Sequence, residues 1–216
     1  FFQAWELRGR FPAILDDPKQ GETARALFKD AQAMLDRVIT EKWFKPKAVI
    51  GFWPANAVGD DVRLFTDEHR NQELATFFTL RQQLTRREGK ASMALADFVA
   101  PVESGKPDYI GAFVVTAGGE EDAIAARYVK DNDDYSSIIV KALADRFAES
   151  LAEMMHERVR RECWGYAPDE HFTAEELASE AYQGIRPAPG YPAQPDHTEK
   201  TAIFSLLDAK KRIGVN

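Results

Sequence analysis

The sequence predicts an α+β fold with an antiparallel sheet and helices beside it. Two observations carry this expectation. Segments with helical spacing of apolar residues stand at the front of the chain and again in its second half, and segments of strand character gather between them instead of alternating with helices as βαβ units require. The 216 residues, 44% of them hydrophobic and 11% aromatic, also suffice for one sizeable core, so one globular unit over residues 1–216 is expected.

From Thr23 to Trp43, Leu27, Phe28, Ala31, Met34, Leu35, Val38 and Ile39 recur at helical spacing, which predicts an amphipathic helix. The period changes in KAVIGFWPANAVGDDVRLFTD. Val49, Ile50, Phe52 and Trp53 make one run, Val62 and Leu64 a second, and Pro54, Asn56 and Gly59 predict the turn of a hairpin between them. ELATFFTLRQQL fits two periods: Leu74, Thr76, Phe78 and Leu80 alternate, whereas Leu74, Phe77, Phe78 and Leu84 keep helical spacing. A strand is preferred. DYIGAFVVTAG, residues 108–118, is β-branched and aromatic and ends in glycines, which predicts a buried strand.

Beyond it the chain turns helical. DDYSSIIVKALADRFAESLAEMMHERVRREC is the longest helical segment, with Asp133 or Asp134 as its N-cap. Arg158, Arg160 and Arg161 close it, where cations complement the helix dipole. Thr173 and Glu176 form a capping box in TAEEL, and Asp196 and Glu199 are candidates to cap a last helix, HTEKTAIFSLLDAKKR, that stops at Gly214.

Composition excludes several classes of function. A net charge of −7 with no basic stripe argues against nucleic acid. A single cysteine, Cys163, rules out an internal disulfide and predicts a reducing, cytoplasmic setting. No apolar run approaches the roughly 18 residues of a membrane span, no signal peptide precedes the first element, and no membrane partner is expected. The opening FFQAW, without an initiator methionine, reads as part of a longer chain. Histidines 69, 156, 171 and 197 are scattered and lack metal-ligand spacing. GxSxG, Walker A and GxGxxG patterns are absent, and the glycines of AGGEEDA read as a strand end.

Two features remain as candidate sites. On the long helix Ile139, Leu143, Phe147, Leu151 and Met154 make a core stripe, while Ile138, Ala142, Asp145, Glu149, Ala152, His156 and Val159 make a second line carrying two carboxylates and an imidazole. That line fits a second packing face or a ligand face, and the helix alone leaves both open. The other feature is GIRPAPGYPAQPDHTEK, residues 184–200. Prolines 187, 189, 192 and 195 restrict its backbone, Gly190 permits a left-handed turn, and Arg186 supplies a planar fork suited to a carboxylate. Such a loop can hold backbone amides and carbonyls ready beside one cation, as an amino-acid-like ligand needs. A rigid surface loop with a structural arginine is the plainer alternative.

RPAPGYP within this loop resembles the RxxxGYP signature of the activation domain of cobalamin-dependent methionine synthase. FFQAWELRGRFPAIL, WPANAVGDD, LRQQ, LADFVAP, DYIGAFVVTAG, DDYSSIIVKALADR, HERVR and WGYAPDE are similar to segments of that family in the same order, so the likeness runs along nearly the whole chain. The resemblance implies a single helmet-like α+β domain, its twisted antiparallel sheet flanked by helices, that binds S-adenosylmethionine. In that family the cobalamin of a neighbouring domain oxidises occasionally to inactive cob(II)alamin. Reductive methylation restores it, with an electron from flavodoxin or a flavoprotein reductase and a methyl group from S-adenosylmethionine. Carried onto this sequence, the resemblance implies that Arg186 holds the ligand carboxylate, that the backbone of Ala188 and Tyr191 contacts ligand, and that Glu149 is a further site residue. It also implies a ligand-contacting aspartate just before the position of Phe1 and an aromatic beyond Asn216, both outside this chain, and hence a weakened affinity. No catalytic side chain is expected. Two rival readings are an interaction module that docks on a cobalamin domain and a flavodoxin without binding nucleotide, and a hydrolase using Asp145, Glu149 and His156.

Overall fold

A computed structural model describes residues 1–83, 85, 89 and 91–215. The first helix, α1, spans Gly21–Thr40 and buries Ala24, Leu27, Ala31, Met34 and Val38, whose steps of three and four keep one face inward. Four strands follow: β1 (Lys47–Val58), β2 (Asp61–Phe65), β3 (Glu73–Phe78) and β4 (Asp108–Thr116), in the sheet order β3-β2-β1-β4. β1 with β2 and β2 with β3 pair antiparallel, so the α+β class with an antiparallel sheet holds.

The hairpin turn is tighter than its sequence suggests. Pro54 and Asn56 lie inside β1, and the turn is Gly59–Asp60 alone, because Val58 already pairs with Asp61. Gly59, with φ of 61°, occupies the first turn position, as a two-residue hairpin turn of the II′ kind requires. Pro54 is compatible with a strand because pairing with β2 begins one residue later, at Ala55. β3 takes the strand option of its ambiguous segment. Leu84, one of the positions that supported a helix there, lies outside the described residues.

The later helices are α2 (Glu121–Lys130), α3 (Asp134–Arg158), α4 (Ala174–Ala178), α5 (Glu199–Leu206) and α6 (Ala209–Ile213). Asp133 caps α3 by accepting the Ser136 N–H at 2.9 Å. The Thr173–Glu176 capping box forms as expected.

Three expectations about these helices need correction. The last helix is two, because Asp208 adopts a left-handed φ of 49° that lets both Leu207 and Ala209 point into the core. Its caps also differ: Asp196 accepts the Thr198 N–H ahead of the helix, and Glu199 is a buried residue of its first turn. On α3 the core stripe fails at its far end. Ile139 and Leu143 are buried, but Met154 is 47% exposed and its neighbour Met155 takes the buried place instead. Finally, of the basic run expected to close the long helix, only Arg158 belongs to the last turn of α3. The helix passes into a π-helical turn at Val159–Cys163, and Arg160 is fully buried, while Arg158 and Arg161 pair with Glu162 and Glu157.

The chain forms two compact units. Residues 1–48 and 115–154 build one around Leu27, Met34 and Val38 of α1, Ile124 of α2 and Ile139, Val140 and Leu143 of α3. Residues 49–114 and 155–216 build the other, in which Ala55, Val62, Leu64, Phe77 and Ile110 of the sheet are joined by Val99 and the α5 residues Ala202, Ile203 and Leu206. Val49, Val114, Leu207, Ala209 and Ile213 extend that second core. Among the described residues no helix is long and apolar enough to cross a membrane.

Candidate functional site

The proline-rich loop is held by its own backbone. Tyr191 N–H donates to the Ala188 carbonyl at 3.0 Å, Gln194 N–H to the Tyr191 carbonyl at 2.9 Å, and Gly190 N–H to the Gln194 carbonyl at 2.8 Å. Leu95 N–H donates to the Ala193 carbonyl at 2.8 Å and fastens the returning arm to the body of the second unit. Gly190 is required twice over. Its φ is 104°, and a Cβ there would overlap the His197 ring. Ala193 and Gln194 are buried, whereas Ala188 is exposed and Tyr191 is 64% exposed, so the loop is anchored on one arm and open at its tip. Arg186, half-buried, stands at the base of the other arm.

This geometry refines what the loop backbone can offer. The Tyr191 N–H is spent inside the turn, which leaves its carbonyl's second lone pair and its exposed ring for a ligand.

Behind Arg186 lies a group of side chains that sequence reasoning did not assemble. Arg160 Nε donates to both oxygens of Glu170 at 2.8 and 2.9 Å, and Nη2 donates to Glu170 as well. Arg160 Nη1 meets His156 Nδ1 at 2.7 Å, and its guanidinium carbon lies 4.4 Å from the centre of the Tyr182 ring. The His156 ring meets Tyr182 edge-on at 4.7 Å. An arginine only donates, so His156 Nδ1 accepts and the imidazole proton sits on Nε2. Burial, then the positive charges of Arg160 and Arg186, push the His156 pKa down to about 3. One signal for part of this group was legible: His156 and Arg160 are four apart on one helix. Glu170 and Tyr182 arrive from irregular segments with no periodic pattern to mark them.

His156 therefore leaves the acid–base set proposed for the long helix, being 6% exposed and engaged by Arg160. Glu149 is different. It lies on the part of α3 in the first unit, with its side chain 72% exposed and 3.9 Å from Arg146. Arg146 also lines a cavity of about 480 Å3 with Phe1, Phe28 and Leu143. Of the four sequence-derived site residues, Arg186, Ala188 and Tyr191 fall together on the loop of the second unit, and Glu149 belongs to the first. Among the described residues no group of three or more potential ligands is arranged to hold a metal ion.

The family model described as Vitamin B12 dependent methionine synthase, activation domain, matches residues 1–216. A crystal structure of the MetH reactivation domain bound to AdoHcy is 54% identical and matches with a TM-score of 0.93. The match covers 100% of this chain and 66% of the chain in that structure, a little under two thirds of its length. A ready-made loop with an arginine at its base, in a chain alike from end to end, has one reading: this chain belongs to the family of activation domains of vitamin B12-dependent methionine synthase.

Proposed function

We propose that this chain binds S-adenosylmethionine through Arg186, Ala188, Tyr191 and Glu149 and orients it as methyl donor for a cobalamin held by a neighbouring domain. The observation that carries the reading is the 54% identity, over the whole chain, to a domain crystallised with AdoHcy, the demethylated product of that donor. The loop supports it. Arg186 offers a bidentate fork for the amino-acid carboxylate, and the turn from Ala188 to Gln194 is already closed by its own hydrogen bonds, so little backbone entropy is lost when a ligand docks.

A cobalamin held by that neighbouring domain would supply the methyl acceptor, with an electron drawn from flavodoxin or a flavoprotein reductase. The contribution of this chain is positioning. Its residues hold the carboxylate, present the sulfonium methyl, and supply no acid or base of their own.

Calorimetric titration with S-adenosylmethionine tests the reading. Saturable binding that Arg186→Ala abolishes supports it. Absence of binding returns the chain to the docking-module reading.

A further inference from the structure

We propose that Arg160 and Tyr166 are positioning residues that set the direction of the Arg186 guanidinium. The inference rests on the role given to Arg186 above. Arg160 gathers side chains from three successive stretches of chain: His156 on α3, Glu170 beyond the π-helical turn, and Tyr182 at the start of the segment that leads to Arg186. The very next residue after Tyr182 is fixed as well, because the Tyr166 hydroxyl donates to the Gln183 carbonyl at 3.2 Å. Two successive residues are thus held by side chains from outside the loop. Only Gly184 and Ile185 then separate this pedestal from Arg186.

A buried ion pair is a poor device for stability alone, since the desolvation of both charges offsets most of their attraction. What Arg160 gives is direction. Its planar fork fixes the Glu170 carboxylate, and its flat face fixes the Tyr182 ring. His156 serves the same end by being neutral: it fills the space beside Arg160 as an acceptor and adds no further cation near Arg186. A bidentate contact to a carboxylate depends on the angle of the guanidinium, so displacement of the pedestal lowers affinity for the carboxylate and leaves the rest of the ligand unaffected.

The test compares two ligands. S-adenosylhomocysteine carries the carboxylate; 5′-methylthioadenosine shares its nucleoside and thioether but lacks the amino-acid group. Both are titrated by calorimetry against wild type, Arg160→Lys and Tyr166→Phe, with thermal melts in parallel. Tyr166→Phe removes one hydroxyl from an exposed ring and keeps the test decisive if Arg160→Lys does not fold. The expected result is a loss of about tenfold for S-adenosylhomocysteine with 5′-methylthioadenosine affinity unchanged, and a melting temperature for Tyr166→Phe close to wild type. An unchanged ratio of the two affinities in Tyr166→Phe, or equal losses for both ligands, overturns the inference while the proposed function stands. If wild type does not prefer the carboxylate ligand, the role of Arg186 falls and this inference falls with it.

Discussion

His156 Nδ1 accepts a hydrogen bond from the fully buried Arg160 at 2.7 Å, a pairing that only a neutral imidazole can make. Its pKa of about 3 lies far below the ordinary value of 6.5. Between these two values the unfolded chain binds a proton at this position and the native one does not. The stabilising contribution is therefore complete above about pH 6.5 and is lost progressively as pH falls toward 3. Urea melts between pH 7.5 and 5, above the range of most carboxylates, should show declining stability. His156→Gln, which cannot titrate, should flatten that slope.

Removal of one member of the buried pair should be severe. Glu170→Ala leaves Arg160 buried without its carboxylate, and the expected cost is about 3–5 kcal/mol. For a chain of this size that corresponds to roughly 6–20 °C in melting temperature. Arg160→Met combined with Glu170→Leu should recover much of the loss, since no unpaired charge remains. Thermal melts of the single and double variants check this.

Arg186→Lys should impair S-adenosylmethionine binding nearly as much as Arg186→Ala, by on the order of tenfold or more. An ammonium keeps the charge but not the two parallel donors. Calorimetry on both variants decides the point, and a lysine variant that binds like wild type would remove the bidentate role.

Glu149 projects into solvent beside Arg146, 3.9 Å away, so Glu149→Gln should leave the melting temperature within about 1 °C of wild type. The same variant should bind S-adenosylmethionine more weakly by on the order of 1–2 kcal/mol if the carboxylate meets ligand. Unchanged affinity would withdraw Glu149 from the site.

Glu199 is buried, and burial raises its pKa, with Asp196 and Asp61 adding to the shift and the Phe78 N–H working against it. One of its carboxylate oxygens, Oε2, has no hydrogen-bond partner among the described residues. Its charged form is a cost at neutral pH. Glu199→Gln should stabilise the protein there by about 1 kcal/mol, or roughly 2–4 °C. The gain should disappear as the pH falls through the raised pKa and the wild-type carboxyl takes up its proton.

The parts of the fold legible in the sequence were those with a strong period or a local motif. The apolar steps of α1, the β-branched run of β4 and the capping box at Thr173 each point to one local structure, although β4 is an edge strand burying Ile110 and Val114 and not the buried strand expected. Alternation in β3 competed with helical spacing, and pairing with β2 decided it. What stayed hidden depends on residues that meet only after folding. Arg160 looks like any arginine near a helix end until Glu170 and Tyr182 close over it, and the left-handed Asp208 that splits the last helix has no glycine to announce it. The loop itself was legible because its prolines and Gly190 state their backbone requirements in sequence.

α5 lies against β3, the outermost strand beside β2, and brings the Glu199 carboxylate to the Phe78 N–H. An uncovered edge strand presents a row of free backbone donors and acceptors to any passing chain, and ELATFF, with its aromatic end, is apt to recruit one. The helix that follows the proline-rich loop thus occupies one backbone donor of this edge strand, at Phe78.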